Sequence, residues 1–267
     1  MSFLRKVRHQ LALEGETKRH GFFMIAEMAL IIVGITVALQ LDNFKESSLN
    51  QKTEKALLIQ LHEEFTIVKS AIEKETATIE ARLPKIVELY KNCGYNHNDY
   101  DVVTLTTHVG EVMKQTNFNT YQGVLNDAMN TGKLGLVKNS DLRIKLYSWK
   151  SGVEYIHHFN NTLNDYITTF LIYAFEKISW RDYDNEYFSD YELGKSTLDS
   201  DVNGLLFDVF FENQMGMILW NTEKLLENYE NHLLKPTNEI LGLVELELAK
   251  YPNVQLGQAE NASATAD

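Results

Sequence analysis

One carboxylate, Glu27, interrupts an otherwise almost wholly apolar run over residues 22–41, FFMIAEMALIIVGITVALQL. In hydrocarbon an acidic side chain costs roughly 2.5–3.5 kcal/mol near the centre and less toward the edge, so such a group needs a partner or a task. Glu27, Ile31, Gly34, Ala38 and Leu41 recur at alternating spacings of four and three, which puts them on one helical face. Gly34 and Ala38 form a small-xxx-small pair that admits close approach of a second helix. The face therefore reads as an interface with another span, either a second copy or a different membrane protein. Two other chemistries compete. Glu27 can snorkel toward headgroups beside Lys18 or Arg19, or it can be titrated as the proton or ion carrier of a larger complex.

The remaining polar clusters offer less. His157 and His158 are adjacent, so on a helix they diverge by about 100° and cannot chelate one metal well. His62-Glu63-Glu64 lacks the second histidine of a helical zinc motif. Asp182, Asp184, Glu186 and Asp190 lie in an acidic, tyrosine-rich stretch and are weak metal candidates. Counting from Asp182, Tyr187 falls where a calcium loop needs its glycine and Leu193 where it needs its bidentate glutamate. A solvated acidic loop with inward tyrosines, or a tyrosine-bearing protein contact, suits the stretch better. Thr131-Gly132-Lys133-Leu134-Gly135 lacks the Walker spacing and reads as a helix C-cap, with Gly132 left-handed and Leu134 folding back. No catalytic residue, cofactor or resident metal is expected, and the chain is read as non-enzymatic.

These residues need elements to position them. Twenty helical residues cover about 30 Å, the hydrocarbon thickness of a bilayer, so residues 21–42 are expected to form one transmembrane helix. Before it stand Arg5, Lys6, Arg8, Lys18 and Arg19 against Glu14 and Glu16, while the whole chain carries −12. Basic flanks remain cytoplasmic, which places the N-terminus inside and residues 42–267 outside. The same five cations are the expected inner-leaflet lipid contacts. Phe3, Leu4, Val7 and Leu11 share one face of a basic amphipathic segment over residues 1–20. The rival, a cleaved signal peptide, wants a shorter apolar core and a small-x-small site; Ala38-Leu39-Gln40-Leu41-Asp42 suits an uncleaved signal anchor better.

Beyond the span the chain is long enough for a sizeable core. Three prolines and fourteen glycines favour helices, and the acidic balance argues against nucleic acid as a partner. Cys93 is the one cysteine, so no internal disulfide is possible; a buried, inert thiol is expected, with pairing between chains as the alternative. Leu57, Leu61, Phe65, Val68, Ile72, Ile79, Leu83, Ile86 and Tyr90 form a helical stripe over residues 43–92, weakened near 73–78 and challenged by Pro84. Helical patterns follow over 102–116, 119–131, 140–179, 202–233 and 237–250, started by Asp101, Asn119, Asn139-Ser140, the 199–201 region and Pro236. The 140–179 pattern approaches a coiled-coil seam through Leu142, Leu146, Trp149, Val153, Ile156, Leu163, Ile167, Phe170 and Ala174. Residues 253–267 lack periodicity and read as disordered. The expected fold is all-α: a transmembrane helix, a long juxtamembrane helix, and a helical bundle over 93–252.

Three stretches, FLRKVRHQLALE, AEMALIIVGITVALQLDNF and TGKLGLVKNSDLRIKLYSW, resemble an uncharacterised family of bacterial single-span membrane proteins known as a domain of unknown function. The second is similar to its Gly-Glu, Gly-Ile, Ala-Leu-Gln and Asn-Asn-Trp pattern, with Ala26 in place of the glycine and Asp42-Asn43-Phe44 after the span. The third is similar to its Ser-Gly-Lys-Leu, Leu-Ile, Asn, Leu-Arg motif. The resemblance covers the first 45 residues well and the rest in patches. It implies a cell-membrane location and supplies no activity. With the basic flank inside, the soluble part is expected on the outer face of the cytoplasmic membrane, which in a Gram-negative cell is the periplasm. The expected role is a membrane-anchored scaffold or assembly protein that oligomerises or pairs through its span. The alternatives are a subunit of an ion- or proton-coupled complex using Glu27, and a ligand-sensing ectodomain.

Overall fold

The structure is a computed structural model that describes residues 17–94, 102–181, 194 and 196–251. The amphipathic opening with Arg5, Lys6 and Arg8, the candidates Asp182, Asp184, Glu186 and Asp190, and the 253–267 tail lie outside the described residues. So do the side chains of Lys18 and Arg19, although their backbone is helical.

The chain is all-α, with no strand among the described residues. In order it forms α1 (Thr17–Lys91), α2 (Val102–Met113), α3 (Gly123–Asn130), a 3₁₀ turn (Lys133–Leu136) and α4 (Ser140–Phe175). After these come α5 (Val202–Leu206), α6 (Val209–Tyr229), a π turn (Glu230–Leu234) and α7 (Lys235–Leu248). Two compact units divide it, Met1–Glu54 and Lys55–Asp267.

The described part of the first unit is the opening of α1. Its apolar side chains, from Met28 through Leu41, are exposed on every side of the helix. The segment contains the one described helical stretch that is long and apolar enough to cross a membrane, and none of that stretch is buried.

In the second unit the apolar stripe of α1 is buried through Leu57, Leu61, Phe65, Val68, Ile72, Ile79 and Ile86. The stripe then departs from the expected register: Leu83 is half-buried and Tyr90 exposed, whereas Arg82 and Leu89 are buried. Helix α1 continues through Pro84, which sits on an exposed position where its missing N–H is cheapest to lose. It stops at Asn92-Cys93-Gly94, where Gly94 takes a φ of 78° and donates its N–H to the Leu206 carbonyl at 2.8 Å.

Helix α4 buries every residue of its expected seam. Asn139 caps it, accepting from the N–H groups of Asp141 and Leu142 at 3.0 Å each. The helix packs along α6, the π turn and α7. At the centre Trp149 meets Phe65 edge-on at 5.0 Å and donates from Nε1 to Thr237 Oγ1 at 2.9 Å. Gly132 is left-handed with φ 74° and Leu134 is buried, the C-cap arrangement expected there.

Several boundaries differ from expectation. Helix α3 begins at Gly123 with Gln122 at its cap position, so Asn119 does not start it, and α4 ends at Phe175, short of the expected 179. Helix α2 stops at Met113 because the next backbone groups are taken by side chains from other helices. The pattern expected over 202–233 breaks at Phe207-Asp208, and Asp208 caps α6 through the N–H groups of Phe210 and Phe211. Finally, α6 and α7 are not separated: the chain stays helical from one to the other through the π turn. Pro236 explains the π turn, since a proline ring collides with the carbonyl four residues earlier, here His232.

Candidate functional sites: an exposed apolar helix and a buried polar centre

On the first unit, Glu27, Ile31, Gly34, Ala38 and Leu41 are all exposed on α1. A Cβ at Gly34 would meet nothing within 4 Å, so the small-residue face is open. The hydroxyl of Thr36 donates to the Ile32 carbonyl at 2.8 Å, which leaves no free hydroxyl proton on that side chain. A helix apolar all round is stable where its surroundings are also apolar, in lipid or among other helices.

In the second unit the polar chemistry collects around the segment 114–118, which is neither helix nor strand. Arg82, buried on α1, donates to the Lys114 carbonyl. Asn164 on α4 grips the Thr116 peptide from both sides: its Oδ1 accepts from Thr116 N at 3.1 Å and its Nδ2 donates to Thr116 O at 2.9 Å. Glu75 accepts from the Asn117 N–H. Phe118 packs edge-on against Tyr229 at 5.2 Å, and the Tyr229 hydroxyl lies 3.4 Å from Asn160 Nδ2. Side chains thus replace the helical bonds this backbone would otherwise make.

Burial sets the electrostatics here. It pushes Glu75 up, while Arg82 and the Asn117 N–H pull it back. It lowers Arg82, opposed by the charges of Glu75 and Glu111. Burial also raises the Tyr229 phenol. Glu111 is the exception. Its burial works against ionisation, yet bonds from Lys114 at 2.8 Å and Lys85 at 2.9 Å hold its carboxyl below the ordinary range.

A buried carboxylate, Glu64, reaches from α1 to the start of α3. Its Oε2 accepts from Val124 N at 2.7 Å and its Oε1 from Leu125 N at 3.0 Å. The cap residue Gln122 makes no such bond with its own side chain. Glu64 therefore does the capping from 60 residues away. Glu247 on α7 plays a related part, accepting from Asn139 Nδ2 at 2.8 Å and from Lys250.

No family model, no curated protein and no solved structure matches this chain.

The site residues proposed from the sequence and those found in the interior are different sets. His157 and His158 are both exposed, and His62 lies 3.3 Å from Glu245 rather than beside a second ligand. Among the described residues no group of three histidine, cysteine or acidic side chains is placed to hold a metal. Glu64, Glu75 and Arg82 were missed, although their positions were informative. Each falls on the α1 stripe, between Leu61 and Val68, Ile72 and Ile79, and Ile79 and Ile86. A charged residue in phase with a buried stripe is the signal for a charge spent inside the fold.

Proposed function

We propose that this protein is a membrane-anchored helical scaffold. The opening of α1 crosses the bacterial cytoplasmic membrane once, with the N-terminus cytoplasmic, and the second unit is presented on the outer face. One observation carries this: the run over residues 22–41 is helical and its described apolar side chains are exposed, while the second unit gathers its own into a continuous core. Exposure of so much apolar helix is unfavourable in water, by about 25 cal/mol for each Å². The cations before the run support the orientation. The scaffold role is supported by how the interior is used: Glu64, Asn164 and Glu247 hold backbone and helix ends together.

The span pairs with a second span through Glu27, Gly34 and Ala38. The test is extraction of membranes with alkaline carbonate, followed by mass measurement of the intact complex in nanodiscs. The full chain stays with the lipid and runs as a discrete oligomer that Gly34→Leu disrupts. Release into the carbonate supernatant overturns the anchor, and a monomer overturns the pairing. Glu27→Gln keeps the oligomer if the carboxylate packs, since an amide still hydrogen-bonds across helices.

A further inference from the structure

A polar atom shut inside a fold with no bonding partner is rare, because it forfeits its hydration without replacement. Among the described residues four side chains carry such an atom: Arg82 at Nε, Thr116 at Oγ1, Asn160 at Oδ1 and Gln214 at Oε1. Arg82, Thr116 and Asn160 are 6%, 2% and 3% exposed. Gln214 stands apart, half-buried on α6 and about four turns before Tyr229.

The other three attach to the same five residues of chain, 114–118. Arg82 donates from Nη1 to the Lys114 carbonyl. Thr116 has its N–H and its carbonyl bonded to Asn164. Asn160 stands one turn before Asn164 on α4, and its Nδ2 reaches the hydroxyl of Tyr229, whose ring packs on Phe118.

The neighbouring side chains are already committed. Asn164 spends both ends of its amide on Thr116, Glu75 accepts from the Asn117 N–H, and Lys85 and Lys114 hold Glu111. The bonds made by Nη1 and Nδ2 also fix the planes of the Arg82 guanidinium and the Asn160 amide. What is left over is one donor, one hydroxyl that can donate or accept, and one acceptor.

That set selects its ligand. A cation is repelled by Arg82. An anion suits the guanidinium but not the amide oxygen, and it meets the charge of Glu75, which faces Arg82 and is felt at Tyr229. Water donates twice and accepts twice, so it can serve all three atoms, and internal water is held by about three such bonds.

We infer that the passage of 114–118 between α1, α4 and α6 is an internal hydration site, with ordered water bound by Arg82 Nε, Thr116 Oγ1 and Asn160 Oδ1. The site lies within the second unit and does not depend on where that unit stands relative to a membrane.

X-ray radiolysis of the full chain in nanodiscs, read by mass spectrometry, tests it. Water held against a buried side chain forms hydroxyl radicals in place and oxidises that side chain. Phe118 should be oxidised several-fold faster than Phe65 and Phe170, which are as deeply buried but pack on the rings of Trp149 and Phe211. The oxygen it gains should exchange with added heavy-oxygen water more slowly than the oxygen gained by exposed Tyr121.

Thr116→Val supplies a second readout whose sign decides. It removes the hydroxyl and keeps the shape, so it stabilises the unit if that hydroxyl has no partner and destabilises it if the hydroxyl holds water. The expected result is a lower urea midpoint. Oxidation of Phe118 no faster than that of Phe65 and Phe170, exchange as fast as at Tyr121, or a midpoint that does not fall in Thr116→Val each overturns the inference.

Discussion

The carbonyl oxygen of His232 occupies the place where the side chain of Gly152 would begin: a Cβ there would stand 2.6 Å from it. Gly152 is buried in the middle of α4, and His232 is in the π turn that joins α6 to α7. Pro236 keeps the His232 carbonyl out of ordinary helical register, and only a residue without a side chain lets α4 approach the widened turn. The ring of His232, meanwhile, lies 4.9 Å from that of Tyr155, one turn further along α4.

Gly152→Ala should therefore destabilise the second unit by about 1–3 kcal/mol, the cost of overpacking against backbone that cannot swing away. Gly242→Ala makes the control. Gly242 is also helical, in α7, but a Cβ there meets nothing within 4 Å. Relief of backbone entropy should stabilise that variant by about 0.5–1 kcal/mol. Urea titration of both variants reads the opposite signs, and two shifts of equal sign would refute the close approach.

Arg82 holds the Lys114 carbonyl and faces the charges of Glu75 and Glu111 from a buried position. Arg82→Ala should cost about 1–3 kcal/mol, because it leaves the Lys114 carbonyl without its donor and removes the cation facing half-buried Glu75. Arg82→Met combined with Glu75→Gln removes both charges and should recover part of that loss. A double-mutant cycle with no coupling between positions 75 and 82 would show that the two do not form a pair.

Such residues mark the limit of what hydrophobic period can read. The α4 seam was legible from Leu142 to Ala174 because every member buries an apolar side chain at helical spacing, and Gly132 was legible because a helix end needs a left-handed residue. The same reasoning chose Leu83 over Arg82 because it scores side chains by polarity, and by stepping four residues from Ile86 to Tyr90 it passed over Leu89, three residues on, which is the one buried. The end of α2 at Met113 was hidden for a different reason. Its backbone partners, Arg82, Asn164 and Glu75, are distant in sequence, and local propensity contains no trace of them. On the first unit the Glu27 face rests on spacing alone, and the structure leaves all five of its residues exposed.

Glu64 gives a pH dependence with a defined sign. Burial raises its carboxyl above the ordinary 4.5, and the bonds from Val124 and Leu125 only partly offset that. A carboxyl raised in the folded state contributes stability that is fully present below its unfolded value, and this is lost as pH rises through the folded value. Glu64→Gln still offers an oxygen to the start of α3 and should flatten that part of the profile. Glu64→Ala should lose the cap, at a cost of about 1–2 kcal/mol. Urea midpoints across pH 4–8 decide the matter, and a Gln variant whose profile overlays the parent would exclude Glu64 as the titrating group.

Cys93 reports on the same interior without disturbing it. Burial, aided by the charge of Glu212, pushes its thiol up to about 12, and its Sγ lies 3.6 Å from the Leu89 carbonyl. Only the thiolate reacts with a maleimide or disulfide reagent, so at pH 8 labelling should require the end of α1 to detach from α5. That detachment breaks the bond from Gly94 to Leu206 at 2.8 Å, and Gly94 holds it with a φ of 78° that other residues adopt at a cost. Gly94→Ala should lower the opening energy by about 1 kcal/mol and raise the labelling rate roughly fivefold, provided closing outpaces the reagent. Labelling of the parent chain as fast as that of the urea-unfolded chain would mean that the thiol is already accessible and the turn open.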